Sequence, residues 1–134
     1  MKYIKIEEFN KASDEVQYKI LDWWTPSDGD LMYNLETKER EVFEPSYMDI
    51  DCVHSYCIPL LTVGQLIGLI EKITDSKMDI MYSYINYRYE IYLNRNYEQF
   101  VTICSFKIKS DSLLQVLWQV ANKIIKGDVG NEEM

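Results

Sequence analysis

Three segments of the chain carry apolar residues at helical spacing. The first lies between Ser13, which suits an N-cap, and Pro26, which cannot continue a helix. The second covers residues 63–74, where Thr62 and Gln65 have the spacing of a capping box. The third covers residues 112–126 and has the strongest apolar face. These patterns predict three amphipathic helices.

Alternating and β-branched segments lie between these helices and predict strands. Two short strands are expected before the second helix and three after it, over residues 31–35, 40–43, 78–85, 87–93 and 100–108. The predicted order is α-β-β-α-β-β-β-α, an α+β fold in which an antiparallel sheet is packed by helices. The pattern shows no linker or repeat, so we expect one domain over residues 1–134, with a frayed tail over 128–134.

Composition and charge argue against several kinds of partner and location. The chain has 134 residues with 22 acidic and 14 basic side chains, a net charge of −8. This balance argues against duplex nucleic acid and anionic membranes as partners, because both are bound through clustered Lys and Arg. The sequence has no apolar run long enough for a membrane span and no signal peptide at its start. Three cysteines are too few for a disulfide scaffold, so we expect free thiols and a cytoplasmic location.

Soft metal ligands occur together only in the segment that contains Cys52, His54 and Cys57. Structural zinc sites need four ligands, and a fourth here would have to come from a distant residue such as Cys104. His54 is the only histidine, and the phosphate-binding and hydrolase motifs are absent. We therefore expect no catalytic residue, no metal and no cofactor.

Tyrosines crowd the segment between residues 82 and 92, which is also part of the net-positive stretch of the chain. In a strand over 87–93, Arg88, Glu90 and Tyr92 share one face. One interpretation is a solvent-facing surface with an ion pair. The other is a ligand-binding site in which Tyr92 stacks on a base while Arg88 and Arg95 pair with phosphate.

Tryptophan supplies the candidate interface residues. Trp23 and Trp24 are neighbours on a helix, so they point about 100° apart and only one is expected to be buried. Trp118 lies at the edge of the last apolar stripe. Exposed aromatic residues usually mark interfaces, so these three residues predict a homo-oligomer.

Two motifs, WWxPxxGDL at residues 23–31 and IPLLTxGQLI at residues 58–67, follow one another in a specific order. Together with the closing helix around Trp118, they resemble small accessory proteins encoded by phages and prophages of low-GC Gram-positive bacteria. That family has no established activity, so the resemblance assigns no functional residues.

Small non-enzymatic phage proteins often counter host defence, so the resemblance implies a role of this kind in the host cytoplasm, and three functions remain open. The protein could sequester a nucleotide immune signal by using the tyrosine and arginine segment. It could instead present an acidic surface that mimics DNA or blocks a host defence protein that targets nucleic acid, since residues 1–50 carry 12 acidic and 6 basic side chains, a net of −6. The third function is a structural or assembly helper without a ligand.

Overall fold

A computed structural model describes residues 2–96, 100–127 and 131–133. Contacts divide the chain into two compact units, residues 3–62 and residues 63–134, with Lys2 grouped with the second. We call them unit 1 and unit 2. The sequence predicts one domain, whereas each unit has a sheet of its own.

The described residues of unit 1 form a small mixed layer of helices and strands. Its elements are α1 (Ile6–Lys11), α2 (Asp14–Trp23), β1 (Leu31–Asn34), β2 (Glu39–Val42), α3 (Ile50–Tyr56) and β3 (Cys57–Pro59). The strands form an antiparallel sheet in the order β2-β1-β3. The helix α2 and the hairpin β1–β2 are therefore confirmed.

The boundaries of α2 follow from its sequence. The Ser13 side chain accepts a hydrogen bond from the backbone N–H of Val16 at 3.3 Å, which is the predicted N-cap. The elements α1, α3 and β3 were not predicted. Each of the two helices buries a single residue, Phe9 or Val53, so neither shows a periodic stripe.

One face of the unit 1 sheet covers a buried core. Met32 packs there with Trp24, Phe43, Val53 and Cys57. Because side chains alternate along a strand, Leu31 and Tyr33 belong to the opposite face. The sheet of unit 1 thus has one core face and a second face on which Leu31 and Tyr33 are half-buried.

Unit 2 contains the largest sheet and the two most apolar helices of the described chain. Its elements are α4 (Val63–Thr74), β4 (Lys77–Ser83), β5 (Arg88–Asn96), β6 (Phe100–Ile108), α5 (Leu113–Ile125) and β7 (Asn131–Glu133). The strand order is β4-β5-β6-β7, and the first three strands are antiparallel, as predicted. The α+β class and the predicted order of the main elements are confirmed.

The apolar stripes of both unit 2 helices are buried. Leu66 and Ile70 of α4 and Leu117 of α5 have no exposed surface, and the two helices contact each other. On the sheet, Ile91 and Phe106 are opposite one another and are also fully buried. Burial of these side chains supplies the main stabilisation of the unit, at about 25 cal/mol for each Å² of apolar surface removed from water.

The C-terminal tail differs from the prediction in part. Residues 128–130 and 134 lie outside the described residues. Asn131–Glu133 form β7, which pairs in parallel with Ser105–Lys107 of β6 rather than fraying. Pairing satisfies backbone groups at what would otherwise be the edge of the sheet, which is the physical reason for order at this position.

Within the described ranges, no helix is both long enough and apolar enough to cross a lipid bilayer.

Candidate functional site

The three tryptophans occupy different environments. Trp24 is buried at 2% exposure, and its indole N–H donates to an Asp30 carboxylate oxygen at 3.1 Å. Trp23 is half-buried against the core of unit 1, which confirms that only one of the neighbouring pair is buried. Trp118 is also buried, at 9% exposure. Of the three predicted interface residues, Trp24 and Trp118 are thus covered within the chain, and Trp23 keeps part of its surface exposed.

The Cys52–His54–Cys57 segment lies on α3 and at the start of β3. The His54 ring stacks on Trp24 with ring centroids 5.9 Å apart, and its Nε2 lies 2.8 Å from the carbonyl oxygen of Leu21. Cys52 is exposed and Cys57 is buried. Burial raises the pKa of the Cys57 thiol to about 11, with smaller contributions from Glu41 and Glu36. This environment disfavours the thiolate that a nucleophile or a metal ligand requires.

Metal-ligand chemistry has little support among the residues that the structure covers. No group of three or more His, Cys, Asp or Glu side chains in that part of the chain is arranged to hold a metal ion. The imidazole of His54 contacts a helix carbonyl and an indole ring instead of a second ligand.

The predicted ligand-binding residues of β5 are only partly brought together. Arg88 and Tyr92 share a face of the sheet, as expected, and both contact Glu90, which lies between them. The Arg88 Nε donates to one Glu90 carboxylate oxygen at 3.1 Å, and the Tyr92 hydroxyl donates to the other at 2.7 Å. Glu90 is 8% exposed. The guanidinium that was expected to meet a phosphate is thus paired with a carboxylate of its own strand.

The surroundings of Glu90, between Arg88 and Tyr92, favour the ionised form of its carboxyl group. The hydrogen bond from Tyr92 holds the pKa of Glu90 below its usual value, with Arg88 and Lys107 acting in the same direction and burial opposing them. The same hydrogen bond raises the pKa of Tyr92. A phosphate at this position would meet an ionised carboxylate, which repels it.

Arg95 lies on the other face of β5. Its Nε donates to the carbonyl oxygens of Thr74 and Asp75 at 3.2 and 3.0 Å, at the C-terminal end of α4. A second guanidinium nitrogen also donates to Thr74. A cation at the last carbonyls of a helix stabilises its C-terminus, so Arg95 has a structural partner and does not join Arg88 and Tyr92.

An open cleft of about 670 Å³ lies in unit 1, on the sheet face opposite the core. Its lining includes Tyr3 from the N-terminal segment, Leu31 and Tyr33 of β1, and Arg40 and Val42 of β2. In the sheet register, Leu31 is opposite Val42 and Tyr33 is opposite Arg40. These cross-strand pairs give the cleft an apolar part beside an aromatic and cationic part.

Arg40 has a defined position in this cleft. Its guanidinium carbon lies 5.7 Å from the centroid of the Tyr3 ring, and a guanidinium nitrogen donates to the Tyr3 hydroxyl. A cation held over an aromatic face is oriented by the ring quadrupole. These two contacts with Tyr3 place the Arg40 guanidinium at the cleft.

The charged residues that line the cleft are balanced in number. Three basic residues and three acidic residues line it, namely Lys5, Lys38, Arg40, Glu7, Glu39 and Glu41. A Glu41 carboxylate oxygen accepts a hydrogen bond at 3.3 Å from the Asn34 side chain, which belongs to the core face. Alternation places Glu39 on that same face and Arg40 on the cleft face. Glu39, Arg40 and Glu41 all line the cleft, so β2 presents charges of both signs there.

Sequence reasoning did not identify Tyr3, Tyr33 or Arg40 as site residues. Alternation in the predicted hairpin could have placed Tyr33 and Arg40 on one face. Nothing in the sequence pattern brings Tyr3 to Arg40, because that contact joins residues 37 positions apart.

Comparisons with known proteins give no match, whether with protein-family models, with curated proteins or with solved structures.

Proposed function

We propose that this protein is a non-enzymatic binding protein that holds a nucleotide-like ligand in the cleft of unit 1. The observation that carries the proposal is the Tyr3–Arg40 pair beside the apolar residues Leu31 and Val42. A nucleotide joins a flat aromatic base to an anionic phosphate. The cleft offers an apolar and aromatic surface for the first and an oriented guanidinium for the second.

The dimensions of the cleft support a ligand of this size. Ligand pockets commonly have volumes of about 300–1,000 Å³ and combine apolar walls with a few polar groups that fix orientation. Tyr33 is half-buried and directly opposite Arg40 in the sheet, so the two side chains start from neighbouring positions on the same face. A base stacked on an aromatic ring contributes about 1–3 kcal/mol.

Binding without turnover requires no catalytic group in the lining, whose charged residues are lysine, arginine and glutamate. Sequestration requires only affinity for the ground state, whereas catalysis requires groups that act on a transition state.

The biological role that we propose follows from the phage resemblance. A phage protein that binds a nucleotide immune signal in the host cytoplasm lowers the free concentration of that signal and delays the host response. Cyclic dinucleotides and cyclic ADP-ribose isomers are the ligand chemistries to examine first.

Isothermal titration calorimetry with these nucleotides tests the proposal, using Arg40→Gln as the site variant. A charge-assisted hydrogen bond contributes about 1.5–3 kcal/mol, so we expect Arg40→Gln to weaken binding tenfold or more. The variant keeps a shorter, neutral polar side chain and removes the charge and the bidentate fork.

Arg88→Gln is the matched control in unit 2, and its affinity should equal that of the wild type. If Arg88→Gln weakens binding and Arg40→Gln does not, the ligand belongs to the sheet face around Tyr92. Absence of binding at micromolar concentrations for every nucleotide would refute the proposal.

One observation favours a second candidate, an acidic inhibitor of a host defence protein that targets nucleic acid. Residues 3–62 hold 13 acidic and 5 basic side chains, a net of −8, whereas the rest of the chain holds 9 of each. Ten of those 13 acidic residues are exposed. This second function would be supported if the wild-type protein retains a DNA-binding effector and the same sample binds no nucleotide.

A further inference from the structure

The strand β4 forms one edge of the unit 2 sheet, because the order is β4-β5-β6-β7. It is seven residues long and is joined to β5 by a four-residue turn over 84–87 that the Ser83–Arg88 pair closes. The backbone N–H of Met78 donates to the Glu71 side chain at 2.8 Å rather than to β5. Because backbone groups alternate in an antiparallel ladder, those of Met78, Ile80 and Tyr82 point away from β5.

The turn after β4 exposes large apolar and aromatic side chains. Tyr84, Ile85 and Tyr87 are 80%, 89% and 72% exposed, and Met81 on β4 is 53% exposed. Tyr87 has a φ of +52°, a left-handed conformation that is unfavourable for a bulky residue. An apolar group of this kind at the end of an edge strand is a surface for association.

We propose that the partner at this surface is a second copy of the chain, and that the two β4 strands pair antiparallel about a two-fold axis at Ile80. In this register Met78 is opposite Tyr82 of the second copy, and Asp79 is opposite Met81. Lys77 is opposite Ser83, so no like charges are directly opposite each other along the strand. The surface is thus self-complementary, as a two-fold interface requires.

Backbone groups support the same register. Ile80 and Tyr82 supply N–H and C=O groups on the outer side of β4, and pairing two such edges joins the sheets into one continuous sheet. In the dimer, the carbonyl oxygen of Tyr82 of the second copy replaces the Glu71 carboxylate as the acceptor of the Met78 N–H.

The register also gives the exposed turn a place to bind. It brings Tyr84 and Ile85 beside Ser76 and Asp75 of the second copy. An open cavity of about 520 Å³ lies there, lined by Glu71, Lys72, Asp75, Ser76 and Lys77. A tyrosine suits this lining because its ring covers the long side-chain stems while its hydroxyl bonds to polar groups. Stable interfaces bury about 1,200–2,000 Å², so the turn residues are needed in addition to the strand.

Sedimentation equilibrium of the 16.0 kDa chain over a range of concentrations measures the dimer, and substitutions at Met81 test the register. Met81→Glu places a carboxylate opposite Asp79 twice in each dimer, so we expect its dissociation constant to rise about tenfold. Met81→Lys makes an opposite-charge pair at the same two places and should leave the dimer as stable as the wild type or more so.

Circular dichroism checks the fold of each Met81 variant, because Met81 also lies opposite Glu90 within its own sheet.

A double variant, Tyr84→Ser with Ile85→Ser, changes only the exposed turn and should also weaken the dimer. Tyr18→Ser, at a residue of α2 that is 74% exposed, is the matched control and should have no effect. A single 16.0 kDa species at every concentration, or a dimer that responds equally to Met81→Glu and Met81→Lys, overturns the proposal. This test involves unit 2 residues, so its outcome is independent of the cleft.

Discussion

Glu90 shows how a single residue can change the chemistry of a predicted site. Its carboxylate lies between Arg88 and Tyr92 and accepts a hydrogen bond from each. An external anion that approached Arg88 would also meet the carboxylate of Glu90, which repels it. At the residue scale, the alternation of β5 was predictable, but the pairing that neutralises Arg88 was not.

The first prediction concerns Tyr92→Phe, which removes the hydroxyl that donates to Glu90. Hydrogen bonds to charged groups contribute about 1.5–3 kcal/mol, so we expect the variant to lose about 1–2 kcal/mol of the free energy of unfolding at pH 7. Urea denaturation monitored by circular dichroism measures this loss. Tyr18→Phe, on the exposed surface of α2, is the control and should be neutral.

The pH dependence of the same variant follows from the pKa of Glu90. This pKa is lowered in the folded state, so ionised Glu90 stabilises the fold above its unfolded pKa of about 4.3. The contribution is lost as the pH falls through the folded pKa. The stability difference between wild type and Tyr92→Phe should therefore shrink below about pH 4. A difference that stays constant down to pH 3 would contradict this account.

At the scale of elements, Arg95 links a strand to the end of a helix. Its guanidinium donates to carbonyls of Thr74 and Asp75, while Asp75 itself has a φ of +49° at the end of α4. The last carbonyls of a helix have no partner within it, so a side chain from another element can satisfy them. This contact connects β5 to α4 across a separation of about twenty residues.

We expect Arg95→Ala to destabilise the protein by about 1–3 kcal/mol, because helix carbonyls lose their charged donor. Thermal unfolding measures the change, and Arg95→Lys should recover part of it, since lysine keeps the charge but not the fork. Nucleotide affinity should be unaffected in both variants. A loss of affinity without a loss of stability would show instead that Arg95 contacts the ligand.

At the scale of the whole molecule, charge is distributed unevenly between the two units. Residues 3–62 carry the entire net charge of −8, and the remaining residues sum to zero. Mutual repulsion of like charges destabilises a compact state, and salt screens this repulsion over about 10 Å at 0.1 M. The two units should therefore respond differently to ionic strength.

Tryptophan fluorescence can report on the units separately. Trp118→Phe leaves the unit 1 tryptophans as probes, and a variant with Trp23→Phe and Trp24→Phe leaves the probe in unit 2. Raising NaCl from about 0.02 to 0.5 M should increase the urea midpoint of the first variant more than that of the second. Equal shifts would mean that the two units unfold as one cooperative structure.

The sequence by itself determined the elements that depend on local signals. Ser13 caps α2, the apolar stripes of α4 and α5 are buried, and three alternating segments form the antiparallel part of the unit 2 sheet. Capping, helical periodicity and strand alternation act over a few residues, so they can be read along the chain.

Only the tertiary structure decided which residues form sites. The cleft needs Tyr3 beside Arg40, the cap of α4 needs Arg95 beside Thr74, and β3 needs its pairing with β1. These contacts join residues about 20 to 40 positions apart, and their partners are chosen by packing and sheet register. Packing also buries Trp24 and Trp118, which the sequence suggested as interface residues. Local pattern therefore predicts the elements, while side-chain environment depends on how those elements are assembled.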